Sequence, residues 1–429
     1  MSKIISVNAG SSSLKFQLFE MPSEEVLTSG IVEKIGFEDA IFTIKVNGEK
    51  IKKVLPIPDH TKAVSMLLEA LVEYKIVNSL DEITGAGHRA VHGGEIFKES
   101  VPVTEDVVEK FASLNDLAPL HNPAGLVGYN AFKNNLPNCK HVFVFDTAFH
   151  STMPKESYIY ALPMKYYDEY KIRRYGFHGT SHKYVSLRCA ELMNKKVEDT
   201  KIITCHLGNG ASITAVDGGK SINTSMGFTP LAGVMMGTRC GDIDPAIVTY
   251  IMKKTGATPD EMDDIMNMQS GMLGVSGISS DARDIEDGCK EGNPAALLTA
   301  EVYVNRVINV VGGYYAQLGG ADAIVFTGGI GENDTNMRKM ICDRLSVAFG
   351  IWAGDSKAMD NDGNTIAGGY NPLVEWYTYD GGEKEPSAKE QKHATQEIIK
   401  QLQDLGIKID ATADAISDLG YGGSGYEQK

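Results

Sequence analysis

The chain has 429 residues, 42% hydrophobic and 23% charged, an ordinary globular composition and a length for which two domains are the default expectation. A formal net charge of -15 argues against nucleic acid and anionic membranes as partners, because an acidic chain repels both. The same field repels an anionic substrate, so a site for one requires a local basic cluster.

The chain opens with a strand-like Ile4-Ile5-Ser6-Val7, a small polar loop from Asn8 to Ser13, and an alternating strand from Leu14 to Phe19. Ile41 to Val46 reads as a strand entering a hairpin turn at Asn47-Gly48. Residues 61 to 75 carry helical apolar spacing through Val64, Leu67, Leu68, Leu71 and Val72. Further strands are predicted at His141 to Phe145, ending on Asp146, at Ile202 to Cys205, ending on His206, and at Ile213 to Val216 before the turn Asp217-Gly218-Gly219. A helix is predicted over 295 to 317, and the strand Ala323 to Phe326 ends on Thr327-Gly328-Gly329 ahead of another helix. Strands that end in glycine loops and alternate with helices define α/β architecture. The strand-loop-strand near residue 4 recurs near residue 202, which suggests two similar halves dividing near residue 148. Residues 350 to 390 are rich in Gly, Asp and Asn, and the stretch from Gly420 to Gly425 reads as a flexible tail.

The six cysteines, at 139, 189, 205, 240, 289 and 342, form no Cys-x-x-Cys pair, the pattern of reduced and mostly buried thiols in cytosol. No signal peptide precedes the first strand and no apolar run reaches membrane-spanning length, so a soluble cytoplasmic protein is expected.

Three glycine-containing loops fall at strand ends: Asn8 to Ser13, His206 to Ser212, and Thr327 to Asn333. Small residues let backbone N–H groups approach a phosphate, with hydroxyls as further donors and Lys15 as a nearby positive charge. The first loop lacks the Gly-Lys-Ser/Thr ending of a Walker loop, and a plain hairpin turn is its other reading. Arg89, Arg239 and His178 supply candidates for the basic cluster; each sits among glycines, although a surface charge or a structural ion pair would also account for any one of them. Asp146, at a strand end, either orients one of these cations or caps a helix. His178 and His182 would share a helix face and bind a metal, but the glutamate of a zinc protease is missing and Gly179 argues for a loop. A serine-histidine triad is equally poor, since no Gly-x-Ser-x-Gly elbow occurs at a strand-to-helix turn.

Val7 to Lys15 and Ile203 to Ser212 resemble the two signatures of the acetate kinase family. So do Gly87 to Gly94, Phe145 to His150, Gly176 to Gly179, Gly237 to Pro245, Ser280 to Asp284 and Gly328 to Asn333, and the resemblance runs from residue 4 to about residue 350. It implies the fold of the acetate and sugar kinase, heat-shock chaperone and actin superfamily: two related, ribonuclease H-like α/β domains with nucleotide in the cleft between them. The domains would be 1–148 and 149–384, with 385–429 returning to the first.

By resemblance, the chain transfers phosphate reversibly and in line from ATP to acetate, with Mg²⁺ (or Mn²⁺) as cofactor, and forms a homodimer. Arg89 and Arg239 would face substrate and the transferring phosphoryl group, His178 would donate a hydrogen bond to it, and Asp146 would organise the site. Asn8 would lie near the metal and Lys15 near the phosphates. His206, Leu207, Gly208, Asn209 and Gly210 would contact nucleotide with Gly329, Ile330, Gly331, Glu332 and Asn333, while Asp281, Ala282 and Arg283 would lie near adenosine. Val91, Leu120, Phe177 and Pro230 would form the pocket for a methyl group. The family's closing Ile-Pro-Thr-Asn-Glu-Glu-Leu motif, whose glutamate helps hold Mg²⁺, has no counterpart around Glu375, Glu383, Glu385 or Glu390. A propionate or butyrate kinase, and a catalytically impaired ATP-binding protein of the same fold, are the alternatives.

Overall fold

The computed structural model describes residues 2–23, 25–119, 121–349 and 375–378. The tail from Gly420, the returning segment 385–429, Leu120 and the glutamates at 383, 385 and 390 lie outside the described residues. The described residues form two compact units that divide between Ala148 and Phe149.

The first unit holds strands β1 (Ser2–Ala9), β2 (Leu14–Met21), β3 (Glu25–Glu33), β4 (Ile41–Val46), β5 (Glu49–Val54), β6 (Ile83–Ala90), β7 (Val101–Pro102) and β8 (Lys140–Phe145). They make one sheet in the order β5-β4-β3-β2-β1-β6-β8-β7. β1, β6 and β8 run parallel, while β2 to β5 extend the sheet as antiparallel hairpins. The edge strand β5 carries Lys50, Lys52 and Lys53 exposed, charges that deter pairing with another sheet.

The alternation of β2 puts Leu14, Phe16 and Leu18 into a core with Ile5, Val7, Phe42 and Ile44. The helix His60–Glu73 covers that core with Val64, Leu67, Leu68 and Leu71 and starts at Asp59, whose carboxylate accepts from the Lys62 N–H. Val72 belongs to the same sequence stripe but lies 40% exposed, because it falls at the margin of the apolar arc. The helix Asn122–Asn135 adds Ala131 and Phe132 to the core. A second cluster packs Phe97, Phe111, Phe143 and Phe145 together, with Phe97 and Phe145 stacked at 4.4 Å.

The second unit holds β9 (Lys201–Leu207), β10 (Ala211–Asp217), β11 (Lys220–Thr224), β12 (Ala323–Thr327) and β13 (Glu375–Thr378), in the order β11-β10-β9-β12-β13. Here β9, β12 and β13 are parallel, and β10 and β11 return antiparallel. That is the pattern of β3-β2-β1-β6-β8 repeated, so the sequence echo between residues 4 and 202 is an equivalence of β1–β2 with β9–β10. The helix Pro294–Leu318 buries Tyr303, Val304, Val307 and Val311, and it is bounded by Asn293 as N-cap and Gly319 in the left-handed conformation.

The helix Gly179–Leu192 corrects the reading of Gly179 as a loop residue. His178 itself takes the left-handed turn at the cap, φ 57°, so Gly179 enters the helix at its first position, where glycine breaks nothing. The third glycine segment is likewise a short helical turn, Gly328–Asn333, leading into the helix Thr335–Phe349. Among the described residues no helix is long and apolar enough to cross a membrane. The six cysteines are free; Cys139, Cys189 and Cys205 are buried, and the other three are half-buried.

Candidate active site

In the first unit, β1, β6 and β8 are neighbours, and each delivers a polar side chain at or just beyond its carboxyl end: Asn8, Arg89 and Asp146. The carboxyl ends of parallel strands are where α/β sheets bind ligands. The Asp146 N–H continues the ladder by donating to the Ala90 carbonyl at 3.0 Å, which fixes the start of the turn after β8. The Arg89 guanidinium then grips Asp146 in bidentate fashion: Nε lies 3.1 and 3.2 Å from its two oxygens, and Nη2 lies 2.6 Å from Oδ2. Arg89 Nη1 also donates to Asn8 Oδ1 at 3.2 Å. Asp146 is 1% exposed, while the Arg89 side chain keeps 19% of its surface open. Asp146 is thus an ion-pair partner of Arg89. Lys15 sits opposite Asn8 in the β1–β2 register, and Gly10 closes the loop between them by donating to Ser13 at 2.8 Å.

Behind Arg89, on the other face of β6, His88 Nε2 meets His141 Nδ1 at 2.9 Å among Tyr129, Phe132 and Phe143. Burial holds the His88 pKa well below the usual imidazole value, with His141 adding to the shift. Burial, then Lys133, lowers His141 to about 4. Val91, two residues past Arg89, is half-buried.

In the second unit, His206 and Leu207 end β9, Gly208 donates to Gly210 across the turn at 3.1 Å, and the exposed Asn209 forms the tip. The parallel register pairs His206 with Thr327, which brings the Gly208 turn beside Gly328–Asn333. Gly328 has φ 79°, and a Cβ there would meet the Leu207 carbonyl oxygen at 2.8 Å, so only glycine fits. Glu332 turns back to accept from Thr327 Oγ1 and the Gly328 N–H, both at 2.9 Å, so its carboxylate holds the turn's own start. The exposed Asn333 donates to the Gly329 carbonyl at 2.9 Å, and Ile330 and Gly331 are buried.

Gly237 donates to the Asn209 carbonyl at 3.0 Å, which brings the segment bearing Arg239 to this turn. A Cβ at Gly210 would lie 3.4 Å from Arg239 Nη1 and 3.6 Å from His178 Nε2, so a cation and an imidazole meet at that loop. The His178 and His206 rings are 4.3 Å apart. Ser280 also borders Gly237, and Asp281 next to it caps the helix Ala282–Lys290. Asp281 pairs with the exposed Arg283 at 2.5 Å; the Arg283 hydrogen bond holds its pKa below the ordinary value. Phe177 is buried and Pro230 half-buried.

Ser212 and Thr204 were not read from the sequence as site residues, and His182 was weighed there only as a metal ligand beside His178. Ser212 Oγ accepts or donates at 2.8 Å to His178 Nδ1 and at 2.7 Å to His182 Nε2, and His182 Nδ1 lies 2.7 Å from Thr204 Oγ1. The signal was present in the four-residue spacing of His178 and His182 and in the position of Ser212 opposite His206 in β10. The two histidines share a serine hydroxyl.

A repeated antiparallel-then-parallel sheet with small-residue turns at the strand ends defines an actin-like α/β protein. The family model described as the acetokinase family matches residues 3–368, and the chain belongs to that family. The acetate kinases of Anoxybacillus flavithermus and Bacillus subtilis are 59% and 58% identical over 352 residues, 82% of this chain and 89% of each relative. The crystal structure of Porphyromonas gingivalis acetate kinase superposes with TM-score 0.83 at 40% identity, covering 94% of this chain and all of that one. A propionate kinase from Francisella tularensis superposes with TM-score 0.80 at 39% identity, covering 89% and 97%.

Proposed function

We propose that the chain transfers the γ-phosphoryl group of ATP directly to acetate, giving acetyl phosphate and ADP, and that the reaction runs in both directions. The observation that carries this reading is the identity to acetate kinases over most of the chain, 59% across 352 residues. A carboxylic acid with a pKa near ~4 is ionised at neutral pH, so no base is needed to activate it. The barrier is the approach of one anion to another, and cations aimed at the developing charge lower it.

Arg89, held by Asp146, supplies a guanidinium that already points in a fixed direction. Arg239 and His178 supply a second cation and an N–H donor at the Gly210 loop. Asp146 has both oxygens engaged by Arg89, so it acts as an orienting group. The turns at Gly208–Gly210 and Gly329–Asn333 offer backbone donors to nucleotide phosphates, Lys15 adds charge, and the Asp281–Arg283 segment borders adenosine. Phe177, buried, and Pro230, half-buried, both in the second unit, are the apolar candidates for a pocket that takes the substrate's methyl group.

Magnesium fits as an ion delivered with the nucleotide. Among the described residues no group of three His, Cys, Asp or Glu could cage a metal, and Mg²⁺ is commonly held by one or two protein oxygens together with substrate phosphates. Asn8 Oδ1, beside Arg89, is the oxygen at hand, and the ion would neutralise phosphate charge. The chain is read as a cytoplasmic homodimer.

Purified chain with ATP, Mg²⁺ and acetate, with acyl phosphate trapped as hydroxamate, tests this directly. Acetate should give the most product, propionate less and butyrate little, since one methylene is worth about 1–3 kcal/mol in such a pocket. A preference for propionate would point to the activity named for the Francisella relative. Absence of product with every acid would overturn the reading.

A further inference from the structure

We infer that Thr204, His182 and Ser212 form a one-directional hydrogen-bond relay that fixes His178 as a neutral imidazole with its proton on Nε2, facing the Gly210 loop. The relay itself stands on geometry; its use in catalysis rests on the proposed phosphoryl transfer.

Thr204, His206, Ser212 and Thr214 share one face of the β9–β10 hairpin, because His206 pairs with Ser212 and Thr204 with Thr214. The helix Gly179–Leu192 brings His182 down onto that face, and its cap residue His178 reaches the same serine. Thr204, Ser212 and His182 are fully buried, so each proton must go to a protein partner.

Ser212 has one proton and two ring nitrogens beside it, at 2.8 Å (His178 Nδ1) and 2.7 Å (His182 Nε2). It can donate to only one of them. Thr204 decides which. Its hydroxyl proton has two acceptors, the Thr214 carbonyl at 3.5 Å and His182 Nδ1 at 2.7 Å. A hydroxyl bond at 3.5 Å is outside the ordinary range, so Thr204 donates to His182. His182 is neutral, since burial, then His150 and His206, lowers its pKa well below the usual value. With Nδ1 accepting, His182 carries its proton on Nε2 and donates to Ser212. Ser212 then donates to His178 Nδ1, which leaves the His178 proton on Nε2.

The surroundings of His178 agree with a neutral ring. The groups beside it include the Arg239 guanidinium beyond Gly210, the His206 imidazole at 4.3 Å between ring centres, and His182 on its own helix. A second positive charge there is disfavoured by Arg239. A neutral Nε2–H donates to a phosphoryl oxygen and takes no proton from solvent to do so. Ser212, His182 and Thr204 are therefore positioning residues, acting through His178.

Long-range proton–nitrogen NMR on the full chain labelled at histidine reads each tautomer, with His178→Asn and His182→Asn used to assign the two rings. At about pH 7.5, where imidazoles are ordinarily neutral, both rings should show the Nε2–H form. An Nδ1–H or doubly protonated His178 would overturn the inference. Ser212→Ala removes the lock and should lower kcat about tenfold, the worth of one aligned hydrogen bond, with KM for ATP and acetate little changed. Ser212→Thr keeps the hydroxyl and should restore most of the rate. Unchanged kcat in folded Ser212→Ala would remove the relay from catalysis. If wild-type protein makes no acyl phosphate, the functional reading fails while the tautomer spectrum still decides the relay.

Discussion

Asp146→Asn isolates the orienting role of the carboxylate behind Arg89. The substitution keeps the shape of a side chain that is 1% exposed and removes the charge that Arg89 contacts at 2.6, 3.1 and 3.2 Å. Removing one partner of a buried pair ordinarily costs about 3–5 kcal/mol. Arg89 keeps 19% of its side-chain surface open, and asparagine retains one acceptor, so about 2–3 kcal/mol is expected here. The catalytic loss should be of similar size in free energy. A guanidinium released to drift by ~1 Å loses roughly a hundredfold in rate. Urea unfolding and hydroxamate formation, measured on the same preparation, give both numbers. A double-mutant cycle with Arg89→Gln should return a coupling of about 1–3 kcal/mol, because each single change strands the other group. Raising the pH should not rescue turnover, since the substrate acid is already ionised. Unchanged unfolding with turnover within about twofold of wild type would refute the reasoning, since a gripped guanidinium cannot lose its partner without moving.

Arg239→Ala should lower kcat about a hundredfold or more, as loss of a charge-stabilising group does, and near-normal turnover would remove Arg239 from the mechanism. Gly328→Ala forces a Cβ against the Leu207 carbonyl at φ 79°; about 1–3 kcal/mol of stability should go, with a raised KM for ATP. The buried His141 has its pKa lowered from 6.5 to about 4, so the unfolded chain binds the proton first as pH falls. Its contribution is therefore present above the unfolded pKa and lost on acidification; between about pH 7.5 and 5.5 it amounts to about 1.3 kcal/mol. His141→Phe should flatten the stability profile across that window, measured by urea unfolding, and an unaltered slope would contradict the assignment.

Periodicity made the central strands and the two long helices legible: β1, β2, β4, β8, β9, β10 and β12 carry apolar runs or alternation bounded by small residues. It hid β6, because Gly85, Gly87 and Arg89 interrupt the apolar run of a strand flanked on both sides by others. It hid β3, β5 and β11, whose outer positions are polar since they lie toward sheet edges. The helix Gly179–Leu192 was obscured by its polar first turn, where Ser181 and His182 look outward in sequence but bond inward to His206 and Ser212. Arg89, Arg239 and His178 stood out as basic residues among glycines. Ser212 and Thr204 did not, because a buried serine or threonine leaves no mark in composition and its role exists only through strand register.

A single-turnover experiment with γ-phosphoryl-labelled ATP, Mg²⁺ and acetate tests the central claim, direct transfer by aimed cations. Rapid quench should show label passing from ATP to acetyl phosphate in one phase, with none on the protein. Label on a protein carboxylate before product, or no labelled acyl phosphate, would contradict it.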